Sequence, residues 1–440
     1  MKPPRSARFR FGLASCEIAP PFRTTMHGYA SRRDGFDGVH DPLTFTAVYL
    51  EADGVPALLG CADLCNFPET TVEKDLARVA HAIGARPDHV FLNASHTHGG
   101  PAVPPLSPMW SELFAPPKTT RRYAAWLMRR VIATACRAKA SAEPGTLWYG
   151  KGRSRLPMSR RLPRDGKIVN APNPKGEVDD RLRLLVLKDA RGAMKAVGML
   201  LACHPVCTGD QHLLTADFVG AWRAAFRDAF GEGVAPFFLQ GSGGDMRPRA
   251  AASGAEWRRL RHAELASVGQ ELLREMAGAL AKGLVEIRNP HFRAKRVAVP
   301  LPLERRHTRR EDFLKLQADR DPYVRKYAEI SLRLLAQGKS LPDVATYHVQ
   351  TLWLNREFAL IGLDAEPLVG LGRRVEAAAK PGCGLLLGYT NGCVTYLPDS
   401  REILRGGYEA DSYLYDVWSG PWKTGTERRI AAAVLRPLRK

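Results

Sequence analysis

Short apolar runs separated by turn residues dominate the chain, and longer segments with helical spacing interrupt them. Runs such as LTFTAVYLEA and KAVGMLLACHP are bounded by glycine, proline or polar residues, which is typical of β-strands. Residues 69–84 instead place apolar side chains three and four positions apart, and Gly84 predicts the end of that helix. The same helical spacing is found at residues 119–140, 254–282 and 310–337. This mixture predicts an α/β fold with mixed β-sheets flanked by helices.

Turn residues predict two hairpins and leave the number of domains open. Asp53-Gly54 separates one pair of apolar runs, and Asn355-Arg356 separates another. A chain of 440 residues can hold one large α/β domain or two to three smaller ones. The charged helical segment at about 305–340 is predicted to be an insertion or a lid.

The charge of the chain limits the classes of partner. Lys+Arg 65 against Asp+Glu 45 gives a formal net charge of +20, which suits nucleic acid, an anionic membrane or an acidic substrate. The basic residues are spread along the chain without a nucleic-acid-binding motif, which favours a solvated basic surface over a specific nucleic-acid partner. Peripheral contact with an anionic membrane stays open. Because we find neither an apolar leader nor a run of about 18 apolar residues, we expect a cytoplasmic protein.

The segment NASHTHGGP carries the first candidate chemistry. His96 and His98 follow an apolar strand and lie two positions apart, so in extended backbone both side chains project to the same side. The glycines after them predict a turn that leaves backbone exposed beside the imidazoles. Such a pair suits a metal site or proton transfer. Two histidines in a surface turn without function fit the same pattern.

Further chemically capable residues also follow apolar strands, namely His204, Glu366 and Tyr396. Ligands bind beyond strand ends in α/β folds, so we expect these side chains to approach the two histidines. Two imidazoles and a carboxylate suit a catalytic zinc, although the spacing matches no local metal motif. The basic segment 151–167 either presents Arg160 or Arg161 to a site or is solvated. In the glycine-rich segment LQGSGGDMRPR, the glycines would let backbone approach a ligand or metal.

Several separate motifs together resemble the neutral (neutral/alkaline, non-lysosomal) ceramidase family. NASHTHGGP, ACHP, ADFVG, LQGSGGDMRP, LDAEP and GYTNGCVTY, followed by Tyr408-Glu409, occur in the family's order, and FGLASCEIAPP, HGYASR and GVHDPL resemble its N-terminal signature. The resemblance extends from Phe11 to about Tyr415. It implies a single ceramidase-like catalytic domain over residues 1–440, without the family's immunoglobulin-like C-terminal domain and secretion signal.

The resemblance also implies a zinc cofactor and individual roles. The implied zinc ligands are His96, His204, Glu366 and Tyr396. His98, Arg160 and Tyr408 would be catalytic: they would position the amide and its developing negative charge, and His98 would pass a proton to the leaving amine. Metal-activated water would attack the carbonyl carbon. Asp217 and Asp245 would either orient ligands or only cap helices and turns.

Departures from the family pattern concern the substrate. Ser159, Arg247 and Cys393 differ from the residues that the family commonly has, which predicts a retained reaction with a changed substrate. Arg247 predicts an anionic group on the substrate, because a guanidinium can bind a carboxylate or phosphate through two hydrogen bonds. We therefore predict that Arg247, Gly243 and Asp245 bind substrate near the rim of the pocket.

The sequence thus predicts a zinc-dependent hydrolase that cleaves the amide bond of an N-acyl compound, in lipid metabolism and with an anionic compound as candidate. The partner is a small molecule, which includes lipids but need not be ceramide. The alternative is a non-catalytic binding protein on the same fold. It would hold an anionic ligand or membrane surface through its basic charge, and its binding would weaken steeply with salt.

Overall fold

The computed structural model describes residues 9–32, 34–105, 107–113, 118–380 and 382–434. The strands are, in chain order, β1 (Phe9–Glu17), β2 (Gly38–Val39), β3 (Thr44–Ala52), β4 (Val55–Ala62), β5 (Val90–Ala94), β6 (Glu143–Arg153), β7 (Pro157–Arg164), β8 (Lys167–Asn173), β9 (Arg181–Asp189), β10 (Met194–Leu201), β11 (Leu213–Leu214), β12 (Ala235–Gln240), β13 (Met246–Pro248), β14 (Ala252–Ser253), β15 (Glu256–Trp257), β16 (Val285–Glu286), β17 (Arg293–Pro302), β18 (Val344–Trp353), β19 (Phe358–Leu363), β20 (Glu366–Pro367), β21 (Cys383–Leu387) and β22 (Tyr396–Leu397). The α-helices are α1 (Val72–Ile83), α2 (Pro108–Leu113), α3 (Lys118–Ala140), α4 (Phe218–Phe230), α5 (His262–Ala281), α6 (Arg310–Leu316), α7 (Pro322–Ala336), α8 (Val369–Ala377), α9 (Ser400–Arg405) and α10 (Thr426–Ala432).

The elements with strong local signals are confirmed. Helix α1 ends at Gly84, whose φ of 73° is in the left-handed region that glycine adopts without strain. The predicted hairpins are present as β3–β4 and β18–β19. Helix α4 begins after Asp217, whose side chain accepts a hydrogen bond from the backbone N–H of Phe218.

Three predicted segments differ from the structure. Helix α5 begins at His262 and not near residue 254, because β14 and β15 pair as a short hairpin in front of it. The segment 310–337 forms two helices, since Asp321 caps a new helix whose first residue is Pro322. The basic segment 151–167 is largely strand, and β7 lies between β13 and β8 in a three-stranded sheet.

Two β-sheets form the centre of the fold. The larger sheet has the strand order β12-β10-β9-β6-β1-β3-β4-β5, with β16 added to β6, and the smaller has the order β17-β18-β19-β21. The sheets share a buried apolar layer that includes Phe91 and Leu200 from the first and Leu360 and Leu385 from the second. Helices α1, α3, α4 and α5 pack on the large sheet, and α7, α8 and α10 pack on the small one. The arrangement confirms an α/β fold of mixed sheets flanked by helices.

Buried amide side chains bring the two edges of the large sheet together. Asn93 at the end of β5 accepts a hydrogen bond of 2.8 Å from the backbone N–H of Gln240 at the end of β12. The same amide donates to the carbonyl of Gly388, just beyond β21, at 2.6 Å. Because β5, β12 and β21 each pair in parallel with a neighbour, these contacts gather the carboxyl ends of several strands at one place.

Among the residues that the structure describes, no helix is both long and apolar enough to span a bilayer.

Candidate metal centre

Three side chains that follow different strands converge on one point. His96 lies just after β5, His204 lies just after β10, and Glu366 begins the short strand β20 after β19. The Nε2 atoms of His96 and His204 are each 3.2 Å from Oε2 of Glu366. All three residues are buried. The structure thus brings together three of the residues that the sequence predicted to meet beyond strand ends.

Backbone carbonyl groups orient both imidazoles. Nδ1 of His96 donates to the carbonyl oxygen of Cys65 at 2.8 Å, and Nδ1 of His204 donates to that of Gly243 at 2.6 Å. With Nδ1 as the donor, each Nε2 directs its lone pair towards the carboxylate of Glu366. Three electron-pair donors that face each other at this distance would be stabilised by a cation between them.

Burial and mutual contacts shift the pKa values of all three groups. Burial lowers the pKa of His204 to about 4, with Arg160 acting in the same direction, so this imidazole is neutral at pH 7. Burial opposes ionisation of Glu366, but His96 and His204 hold the pKa of Glu366 well below its usual value. Burial also lowers the pKa of His96, but Cys65 and Glu366 outweigh it and raise that pKa well above normal. His96 and Glu366 thus each favour the charged form of the other.

The donor set fits zinc. Within the described part of the chain, His96, His204 and Glu366 form one group whose ligand atoms all lie within 4.8 Å of one another, and Cys65 forms a second group with His96 and His98. Two neutral imidazoles with one carboxylate are a typical donor set for catalytic zinc. Nδ1 of His96 is already bonded to the carbonyl of Cys65, which favours the group that contains Glu366.

Tyr396, the fourth implied ligand, lies in the same wall as the metal centre. Its strand β22 pairs in parallel with β20, which places Tyr396 opposite Glu366. The ring of Tyr396 lies 5.3 Å from the guanidinium carbon of Arg160. Burial raises the pKa of Tyr396 well above its ordinary value, although Arg160 acts in the opposite direction.

His98 lies beside the three converging groups. Its Nε2 is 3.3 Å from Nε2 of His96, and its ring meets that of Tyr29 edge to face at 4.9 Å. Burial, together with His96 and His204, holds the pKa of His98 well below normal, so His98 is neutral. Its Nδ1 has no hydrogen-bond partner among the described residues. A neutral imidazole with a free ring nitrogen can accept or pass on a proton.

Arg160 and Arg161 belong to a buried network and not to a solvated loop. Nε of Arg160 donates to Glu409 at 2.8 Å, and Nε of Arg161 donates to Glu402 at 2.7 Å. Arg161 also forms an ion pair with Glu409. The network ties β7 to the segment that carries Tyr408, whose ring lies 5.6 Å from the guanidinium carbon of Arg160. Arg160 and Tyr408 therefore lie together beside Tyr396.

The glycine-rich segment supports the centre from behind. Gly243 binds His204 through its carbonyl, and the carboxylate of Asp245 accepts a hydrogen bond of 3.0 Å from the backbone N–H of Val369. The carbonyl of Asp245 accepts from the N–H of Arg160. Neither residue is among the described residues that line the cavity, and substrate binding by either stays a prediction. Asp217 is the helix cap that one of the two interpretations predicted.

Arg247, which the sequence predicted to lie near the rim, is also not among the described residues that line the cavity. Its guanidinium carbon lies 4.6 Å from the ring centroid of Trp257. Its buried Nε has no hydrogen-bond partner among the described residues. Burial lowers the pKa of Arg247, and the nearby Tyr29 acts in the opposite direction. Arg247 is thus close to a residue of the cavity wall without being part of that wall.

A cavity opens in front of the metal centre. Its lining includes His96, His98, Glu366, Tyr396 and Tyr408. Most of the remaining lining is apolar or weakly polar and includes Met26, Ala30, Cys65, Ala102, Val103, Trp110, Cys393 and Val394. The cavity can therefore accommodate an apolar group next to the proposed metal.

Sequence reasoning missed two residues of the centre. The ring centroid of Tyr389 lies 4.2 Å from that of His96, and its hydroxyl is 3.5 Å from Oε2 of Glu366. Tyr389 follows the apolar run GLLLG, so the strand-end signal that indicated Tyr396 applies to it as well. Cys65, which orients His96, carries no comparable signal, because its contribution is a backbone carbonyl.

Comparisons with known proteins address the fold. No family model and no curated protein matches the chain. Two solved structures match with a TM-score of 0.72 and 19% sequence identity. The first is the neutral ceramidase from Pseudomonas aeruginosa; the match covers 96% of this chain and 73% of that chain. The second is a ceramidase complexed with C2; the match covers 97% of this chain and 74% of that chain.

This chain has the ceramidase fold. The likeness extends over nearly the whole described chain. At 19% identity the likeness establishes the fold and does not assign a reaction to this chain.

Proposed function

We propose that this chain is a zinc-dependent hydrolase that cleaves the amide bond of an N-acyl compound. The observation that carries the proposal is the convergence of Nε2 of His96, Nε2 of His204 and Oε2 of Glu366 beside a cavity. Two structures with the same fold are named as ceramidases, and ceramide is an N-acyl lipid. The apolar lining of the cavity suits the acyl chain of such a compound.

When bound by His96, His204 and Glu366, with Tyr396 beside them, zinc would supply Lewis acidity and a lowered pKa of water. The protein's own residues would do the rest. The guanidinium carbon of Arg160 lies 5.6 Å from the ring of Tyr408, which lines the cavity, and these two groups would hold the carbonyl oxygen of the amide. His98 lines the same cavity, with its Nε2 atom 3.3 Å from Nε2 of His96, and would pass a proton to the leaving amine.

The experiment is a metal analysis combined with an acyl-release assay. Wild-type protein from zinc-supplemented growth is expected to contain stoichiometric zinc and to release fatty acid from at least one N-acyl amine. His96→Ala and His204→Ala are expected to lose both properties. His81→Ala is the matched control, because His81 is exposed on α1.

The outcomes separate the two candidate functions. Wild-type protein without bound zinc would overturn the metal assignment. Zinc binding without cleavage of any N-acyl compound, together with binding of anionic vesicles that weakens steeply with salt, would favour the binding protein. A cytoplasmic location, a role in lipid metabolism and contact with an anionic membrane stay predictions.

A further inference from the structure

A second depression lies beside the cavity of the metal centre. Its volume is about 640 Å³, which is within the range of small-molecule sites. Its walls come from three parts of the chain: the turn between β7 and β8, the region of α6 and α7, and residues 405–415. The segment that the sequence predicted to be an insertion or lid thus forms one wall of this depression.

Tyr408 and Tyr415 line both the cavity and the second depression. Tyr408 is 42% exposed, and its side chain lies where the two spaces adjoin. On the cavity side, the ring of Tyr408 lies 5.4 Å from that of Tyr396. A molecule whose reacting bond lies at the metal centre can therefore extend across Tyr408 into the second depression.

The two spaces differ in chemistry. Apart from the metal centre, the cavity is lined mostly by apolar side chains, with Glu69 as a charged residue, whereas the second depression contains charged groups of both signs. These charged residues are Lys167, Arg405, Asp319, Asp321 and Asp411. An apolar chain would cover these charged groups without offering them hydrogen bonds, so the depression suits a group that carries both donors and acceptors.

Some of these charged side chains have hydrogen-bonding capacity that the contacts within the fold do not occupy. Asp319 accepts a hydrogen bond from the N–H of Asp321, and Asp321 accepts one from the N–H of Tyr323, each through Oδ1. These bonds fix the start of α7 and engage one oxygen of each carboxylate. Lys167 is exposed and lies at the first position of β8, next to the turn at Asp165-Gly166.

We propose that the second depression binds the amine half of the substrate, and that the substrate is an N-acyl compound with a large, polar amine portion. This inference rests on the proposed amide hydrolysis, since it assigns the acyl half to the cavity and the amine half to the depression. It distinguishes the substrate from N-acyl compounds of small amines, which would leave the depression empty.

The test compares two substrates with the same acyl chain, N-dodecanoyl ethanolamine and N-dodecanoyl glucosamine, by release of dodecanoic acid. Val324→Trp fills the depression from α7 without touching the cavity, because Val324 lines only the former. We expect kcat/KM for the glucosamine amide to fall roughly ten-fold or more, while that for the ethanolamide changes less than about two-fold. Glu329→Trp, on the exposed face of α7, is the matched control and should affect neither substrate.

A second variant protects the test against misfolding. Lys167→Gln adds no bulk and should raise KM for the glucosamine amide only, with kcat kept. Equal effects of both variants on the two substrates, or no effect on either, would overturn the proposal.

Calorimetric binding of both amides separates the two hypotheses. Tighter binding of the glucosamine amide that Val324→Trp abolishes would support the depression as its site even without hydrolysis, in which case the proposed function alone would fail. Equal binding of the two amides by a protein that cleaves neither would overturn both.

Discussion

Gly28 lies against the imidazole of His98 so closely that a Cβ atom at Gly28 would be 2.3 Å from Cγ of His98. The φ angle of Gly28 is +97°, in the region that favours glycine. The loop that carries Gly28 therefore packs directly against His98, the proposed proton donor. His98 fits against this loop because Gly28 has no side chain. No described residue forms a hydrogen bond with Nδ1 of His98.

Gly28→Ala is expected to displace His98 while the zinc ligands stay in place. Because a shift of a catalytic group by about an ångström is costly, kcat/KM should fall roughly ten- to a hundred-fold while the zinc content is unchanged. Gly54→Ala is the matched control, since Gly54 has a φ of +79° and nothing within 4 Å of its Cβ position. Loss of zinc in Gly28→Ala, or full activity, would contradict this role of Gly28.

Asp245 is expected to make stability depend on pH. Burial raises the pKa of Asp245 from 3.8 to about 7, and the hydrogen bond from Val369 opposes the shift only in part. Between these values the unfolded chain binds fewer protons than the folded one, so the free energy of unfolding falls as pH rises from about 4 to about 7. The slope due to this group is at most about 1.4 kcal/mol per pH unit.

Asp245→Asn keeps an acceptor for the N–H of Val369 but cannot ionise. Chemical denaturation at several pH values should show that the stability of the wild type, measured relative to this variant, declines up to about pH 7 and then levels off. If the two proteins show parallel curves over this range, Asp245 does not hold a proton in the folded state.

Removal of Arg161 is expected to be strongly destabilising. Its guanidinium is buried with Glu402 and Glu409, so Arg161→Met would remove a positive charge that both buried carboxylates contact. Loss of one partner from a buried ion pair costs about 3–5 kcal/mol of unfolding free energy. Arg164→Met, at the exposed end of the same strand, should change it by less than about 0.5 kcal/mol. If urea denaturation shows the same small change in unfolding free energy for both variants, the ion-pair network contributes little to stability.

Arg247 tests whether the substrate carries an acid group. Arg247 lies near Tyr29 of the cavity wall, and its part-buried guanidinium would gain from a substrate carboxylate that reached past that wall. We expect Arg247→Ser to lower kcat/KM for N-dodecanoyl glycine roughly ten- to a hundred-fold, with little change for the neutral ethanolamide. Arg249→Ser removes a charge from an exposed position two residues along the chain and serves as control. Equal losses on both substrates would remove the argument for an anionic substrate.

Local patterns in the sequence were sufficient for much of the fold. The end of α1 at Gly84 and the hairpin at Asp53-Gly54 depend on backbone preferences of single residues, which act without the rest of the chain. The positions of His96, His204 and Glu366 after apolar strands were also visible, because a strand that is buried must emerge where its apolar run ends.

Only the tertiary structure decided which strand ends meet and what each side chain contacts there. The contact between Asn93 and Gln240 joins strands that are far apart in the chain, and no local pattern encodes that pairing. Arg160 and Arg161 lie in a segment whose composition is that of a solvated loop, but ion pairs with distant glutamates allow their burial. The orientation of His96 and His204 depends on backbone carbonyl groups, which every residue possesses and which no sequence pattern can distinguish.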